Sequence, residues 1–178
     1  EIAFRDMQDY GMASASYAKG VSCLAEGLRR WPDDIELNFN LGLLHFMRND
    51  RTREALARFL KVLELQPGHK KALQQASELY LRRSQPDSAK ILLRKGIELF
   101  PEEARFYTNL GLIYLQENRP EEAEKLLAAA VARGDDLRAR HFLNQLRARQ
   151  VEGNGHCSTG RRVKVAKGIG QAAQPQVL

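Results

Sequence analysis

Residues 101–136, PEEARFYTNLGLIYLQENRPEEAEKLLAAAVARGDD, read as two helices and the turn between them. Tyr107, Leu110 and Tyr114 recur at spacings of three and four, one face of an α-helix, and Ala123, Leu127 and Ala130 do the same downstream. Between the two runs Pro120 suits the first turn of a new helix, where the N–H that proline lacks would have no partner anyway. Glu102 and Glu103 follow Pro101 and place negative charge where a helix begins and free backbone N–H groups favour it. The small residues Gly111 and Ala123 mark the closest crossing of the two helices. The result is a helical hairpin with an apolar stripe that it cannot cover alone.

Upstream, the same markers return in phase. Pro32, Pro67 and Pro101 are 35 and 34 residues apart, Ala55, Ala89 and Ala123 are 34 and 34 apart, and Pro86 and Pro120 are 34 apart. The Leu41-Gly42 and Leu110-Gly111 pairs are separated by 69 residues, two such periods with one residue inserted between Met47 and Arg53. A fixed period in this range signals a stacked array, because each unit needs its neighbours to bury its stripe.

Aligned on that period, the chain resembles the tetratricopeptide repeat family over about residues 1–136. The copy over 104–136 carries Tyr107, Leu110, Gly111, Tyr114, Ala123, Leu127 and Ala130 in the signature slots, with Asp135 in place of the closing Pro. The copy over 35–69 has Asn38, Leu41, Gly42, His45, Ala55, Phe59, Val62 and Pro67, and the copy over 70–103 has Leu73, Ala76, Ser77, Tyr80, Ala89, Leu93, Gly96 and Pro101. A degenerate first copy over 1–34 keeps the spacing with Phe4, Met7, Gln8, Gly11, Gly20, Leu24, Gly27 and Pro32. The resemblance implies an all-α, right-handed superhelical solenoid of about four helix-turn-helix repeats. Residues 137–150, apolar at Ala139, Phe142, Leu143 and Leu146 with Arg138, Arg140, Arg147 and Arg149 largely on the other side, suit a C-terminal capping helix. Residues 151–178, with five glycines and no aromatic residue, read as a disordered tail.

The family resemblance also implies a site: the concave face, lined by the first helix of each repeat. Its slots fall on Glu36, Phe39, Asn40, Leu43, Phe46 and Met47, then on Lys71, Gln74, Gln75, Glu78, Leu81 and Arg82, then on Arg105, Thr108, Asn109, Leu112, Leu115 and Gln116. Such a lining suits a peptide or helix with an apolar anchor and an acidic flank: Phe39, Leu43, Phe46 and Met47 receive apolar side chains, Asn40, Gln75 and Asn109 bond a backbone, and Lys71, Arg82 and Arg105 meet carboxylates. The competing reading has Phe39 and Leu43 packing against neighbouring repeats, since apolar helical stripes are usually core. A carboxylate clamp of the kind that holds acidic C-termini fits poorly: Arg5, Asn40 and Lys71 match its slots, but Asp9 and Gln75 stand where Asn and Arg are expected, and Asp9 would repel a carboxylate.

Elsewhere the chain is sparing with chemistry. His45 takes a slot usually held by Tyr and reads as packed, while His69, His141 and His156 fall in a turn, the cap and the tail. No serine has a His and Asp in a nucleophile context, and no cofactor or metal is expected from the lone Cys23 and the His156-Cys157 pair. We therefore expect a binding scaffold and not an enzyme. Of the net charge of +6, half lies in residues 151–178, where Arg161, Arg162, Lys164 and Lys167 face only Glu152. That tail supports an alternative, an adaptor whose basic end binds nucleic acid or an anionic membrane, though no aromatic residue is interleaved for stacking, so nucleic acid is not the expected partner. The longest apolar runs, such as 126–132, are far below the roughly 20 residues of a transmembrane helix. Two cysteines suit a reducing compartment and lean towards the cytoplasm; because the chain starts at Glu1, a periplasmic or membrane-anchored place, or membership of a larger protein, stays open.

Overall fold

Several helices of this chain begin where a side chain or a proline takes care of the first free N–H groups. Asp34 caps the second helix by accepting from Leu37 N at 2.8 Å, and His69 Nδ1 caps the fourth by accepting from Ala72 N at 3.1 Å. Pro86 and Pro120 are the first residues of theirs. The computed structural model describes residues 2–134 and 136–155, with side chains described over 15–149 apart from Asn49 and Asp135. Its elements are α1 (Ile2–Arg30), α2 (Ile35–Phe46), α3 (Thr52–Leu65), α4 (Lys70–Arg82), α5 (Pro86–Leu99), α6 (Ala104–Gln116), α7 (Pro120–Arg133) and α8 (Leu137–Gly155), with a 3₁₀ turn, Asn49–Arg51, ahead of α3. Among the described residues there is no strand.

Three hairpins, α2–α3, α4–α5 and α6–α7, stack in order, each packing most heavily on itself and then on the next. Inside each hairpin a glycine or alanine lets the helices approach. A Cβ on Gly42 would lie 2.8 Å from the Phe59 ring, and one on Gly111 would lie 3.0 Å from Leu127, so the two Leu-Gly pairs hold equivalent places in successive helical pairs. Between hairpins the seam is equally tight but uneven. Gly27 of α1 accepts Leu37 of α2, and Gly96 of α5 accepts Phe106 of α6, whereas the equivalent slots of the middle seam hold Val62 and Ala72, both fully buried. The carbonyls of two closing prolines are also used: Asn38 Nδ2 donates to Pro32 O at 2.9 Å, and Tyr107 Oη donates to Pro101 O at 3.0 Å. Amide and phenol thus do the same job in the same slot. One apolar core runs through the array from Phe39 to Leu146, with Phe59, Leu73, Leu93, Phe106 and Leu127 fully enclosed.

The first repeat departs from expectation. Instead of a hairpin over 1–34, the backbone runs as one 29-residue helix. The later turns show why. Both α4–α5 and α6–α7 reverse through a residue at positive φ, Ser84 at 55° and Asn118 at 57°, followed two residues on by the proline that opens the next helix. At the matching places α1 has Ala15 and Tyr17. Alanine favours the helix over the left-handed turn, and no proline breaks the ladder, so the helix continues. Its C-terminal half still packs as a second helix should: Leu28 is buried, Gly20 lies against Leu44, and Tyr17 Oη donates to His45 Nδ1 at 2.8 Å. At the other end α8 buries Ala139, Leu143 and Leu146 against α7 and continues to Gly155, five residues beyond the expected cap. The remainder of the glycine-rich tail, with Arg161, Arg162, Lys164, Lys167 and Cys157, lies outside the described residues. No helix among the described residues is long and apolar enough to cross a membrane.

Candidate functional site

Of the first helices, α4 touches α6, and residues from the start of α8 line the same face. On this face an open cavity of about 530 Å³ is lined by Gln74, Gln75 and Glu78 of α4, Arg105 and Asn109 of α6, and Leu137 and Arg138 of α8, with Glu103, Ala104, Gly134 and Asp136 from the connecting segments. Five of the residues expected in the groove, Gln74, Gln75, Glu78, Arg105 and Asn109, are brought together there. Its amides suit a peptide backbone, and Gln75 Oε1 is buried without a hydrogen-bond donor among the described residues.

Towards α2 the lining changes character. Arg82 pairs with Glu78 at 2.7 Å and lies over the Phe46 ring at 4.5 Å, so three expected groove residues form one cluster and the Arg82 guanidinium is already engaged. Met47 is 79% exposed, Glu36, Asn40 and Lys71 are exposed, and Leu43 and Leu81 are half-buried. Beyond Arg105 and Asn109, α6 presents half-buried Leu112 and Leu115 and exposed Gln116, and Leu115 joins Asn118, Pro120, Leu146 and Arg149 around a smaller cavity of about 270 Å³.

Two expected groove residues turn inward. Phe39 is 6% exposed, its ring 4.9 Å from His69 and 5.6 Å from Phe59, and it packs between α2 and the next repeat. Thr108 is 1% exposed; its hydroxyl lies 2.6 Å from Asp136 Oδ2 and 3.1 Å from Ala104 O. The physical reason is the inter-repeat seam: a side chain at the edge of the concave stripe is covered as soon as the following helix leans over it. Asp136 in turn caps α8, accepting from the N–H groups of Arg138 and Ala139. Burial opposes its charge, but the Thr108 hydroxyl and the two N–H groups outweigh this and hold its carboxyl below the usual carboxylate range.

Leu137 and Arg138 belong to the cavity, although the sequence reading makes the cap only a lid over the last hairpin. A signal for this is present in the spacing: Arg138 and Arg149, eleven residues apart, come round to one edge of α8 after about three turns, beside the apolar stripe. A second hollow of about 490 Å³, between α2 and α3, is lined by Pro32, Asn38, His45, Glu54, Ala57, Arg58 and Lys61. There His45 is packed against Tyr17, and burial, ahead of the opposing charge of Glu54, pushes its pKa down and favours the neutral ring. No three His, Cys, Asp or Glu side chains among the described residues gather closely enough to hold a metal ion.

Comparison with known proteins agrees with this geometry. The family model of the tetratricopeptide repeat matches residues 9–70 and 75–138. The human interferon-induced protein with tetratricopeptide repeats 2 is 32% identical over 112 residues, covering 57% of this chain and 24% of that protein, so the chain spans about a quarter of the length of this relative. Among solved structures, MamA from Desulfovibrio magneticus RS-1 is 23% identical, with 86% of each chain covered and a TM-score of 0.69. The Yersinia enterocolitica type III secretion chaperone SycD, solved in complex with a peptide of the translocator YopD, is 17% identical over 65% of this chain and 93% of that one, with a TM-score of 0.60. At these identities the two structures establish the fold.

Proposed function

The chain belongs to the tetratricopeptide repeat family, and on that footing we propose that it is a protein-interaction scaffold whose concave face binds a peptide or helix of a partner protein within a multiprotein complex. The observation that carries this reading is the open face on which α4, α6 and α8 converge, with amide and charged side chains around a cavity large enough for several residues of a guest chain. Met47, Leu43 and the edge of Phe46 offer the apolar anchor point, Lys71 and Arg105 the basic flank, and Gln75 and Asn109 the backbone partners. Such a surface binds and releases; no reaction is assigned to it. Affinities in the micromolar range, about −8 kcal/mol, are ordinary for a groove of this kind.

The co-crystallised peptide of the YopD translocator, held by a chain of the same fold, supports the mode of binding without identifying the guest. The reading is tested by capture from cell extract with the intact chain beside a Met47→Glu/Lys71→Glu/Arg105→Glu variant, all three sites being exposed. The variant is expected to lose specific partners; recovery of the same proteins by both would sink the groove assignment. Repeating the capture with residues 156–178 removed, at low and high salt, separates this reading from one in which the basic tail does the binding.

A further inference from the structure

Resting on the groove reading, we infer that the capping helix is part of the binding face: Arg138 of α8 and Arg105 of α6 form an anion subsite that receives the carboxylates of an acidic segment of the partner polypeptide. Both arginines are exposed and line the same cavity of about 530 Å³. The carboxylates nearby are committed elsewhere. Glu78 pairs with Arg82 at 2.7 Å, Glu103 with Lys70 at 3.0 Å, and Asp136 accepts from the Thr108 hydroxyl and from two backbone N–H groups of α8. Arg105 therefore faces the open cavity with no ion pair among the described residues, and Arg138 with none closer than its attraction to the Asp136 carboxylate at the start of its own helix. Paired arginines offer the fork geometry that carboxylates fit best.

The positive rim continues along the same helix edge to Arg149, and neither α6 nor the first fourteen residues of α8 contain an acidic residue. The groove is consequently polarised, apolar at the α2 end around Met47 and basic at the α6–α8 end, and a guest peptide lies in one direction only. The buried, donor-lacking Gln75 Oε1 in the same wall calls for an N–H donor, which a peptide backbone supplies all along its length. The chain's own tail is not the occupant, since residues 156–178 carry Arg161, Arg162, Lys164 and Lys167 and no acidic residue.

Fluorescence anisotropy with the full chain tests this. The probes are a labelled peptide with an apolar half followed by a run of glutamates, its counterpart with glutamines, and a single-stranded oligonucleotide. The glutamate peptide is expected to bind roughly tenfold more tightly than the glutamine peptide, and Arg138→Glu or Arg105→Glu to erase that preference, while Lys125→Glu on α7 leaves it. Unchanged melting curves show that each variant is folded. Binding of the glutamate peptide that survives Arg138→Glu but falls with Gln75→Ala overturns the anion subsite and leaves the groove standing. Failure of both peptides to bind removes both readings. Binding of the oligonucleotide alone, lost in Arg138→Glu, overturns the inference in favour of nucleic acid.

Discussion

Gly42 and Gly20 are both helical glycines at helix crossings, yet replacing them by alanine should have opposite signs. In either case alanine gains up to about 1 kcal/mol of helix propensity. At Gly42 the new methyl meets three ring carbons of Phe59 within 3.2 Å, and that ring is fully enclosed, so overpacking costs about 1–3 kcal/mol and wins. At Gly20 the only close atom among the described residues is the end of the Leu44 side chain, at 3.0 Å, which can rotate away. Urea unfolding should therefore show Gly42→Ala less stable than the parent by about 1–2 kcal/mol and Gly20→Ala as stable or slightly more so. Individual residues were legible in the sequence where a slot demands a size, as at Gly42, Gly111 and Ala123. They were illegible where burial turns on the lean of the next helix: Phe39 and Thr108 lie at the edge of the stripe, and spacing alone does not tell an edge position covered by a neighbour from one left open.

At the scale of the element, α1 is held by polar as well as apolar contacts, one of them to a histidine, and this makes its attachment sensitive to pH. Tyr17 Oη and His45 Nδ1 share a hydrogen bond of 2.8 Å, the Arg48 guanidinium lies 4.9 Å from the Tyr17 ring, and burial of the imidazole, ahead of the opposing charge of Glu54, disfavours its protonated form. Burial places the folded pKa of His45 below its ordinary 6.5, so the unfolded chain takes up the proton first. The stabilisation is complete above pH 6.5 and drains away as pH falls through the lowered folded value. Urea midpoints at neutral and mildly acidic pH should show a loss for the parent that His45→Phe lacks; equal losses would place the sensitive group elsewhere. That α1 is one helix was hard to foresee, because the decisive fact is the lack of a proline at Tyr17 in a sequence that otherwise keeps the period. Turns announced by Pro86 and Pro120 were plain to read, and so were the hairpins they close.

At the level of the whole molecule, stability in a stacked array is a sum over neighbouring joints, and the ends bear the exposed faces. Ending the chain at Asp136 removes the cover that Ala139, Leu143 and Leu146 provide; burying two leucines and an alanine is worth about 3–6 kcal/mol. Such a chain should melt well below the parent and scatter light on heating, whereas ending it after Gly155 should leave the melting curve unchanged. Equal melting of both would mean that α8 contributes little to the stack.

The uneven joints have a wider consequence. Because Gly27 meets Leu37 and Gly96 meets Phe106, but Val62 stands in line with Ala72, bulk passes from one side of the joint to the other and back along the row. Exchanging the α2–α3 and α4–α5 hairpins would set Gly27 opposite Ala72, leaving a hole, and Val62 opposite Phe106, forcing an overlap. The hairpins share a blueprint but are not interchangeable bricks: each accepts one predecessor and one successor, and their serial order is written into the joints themselves.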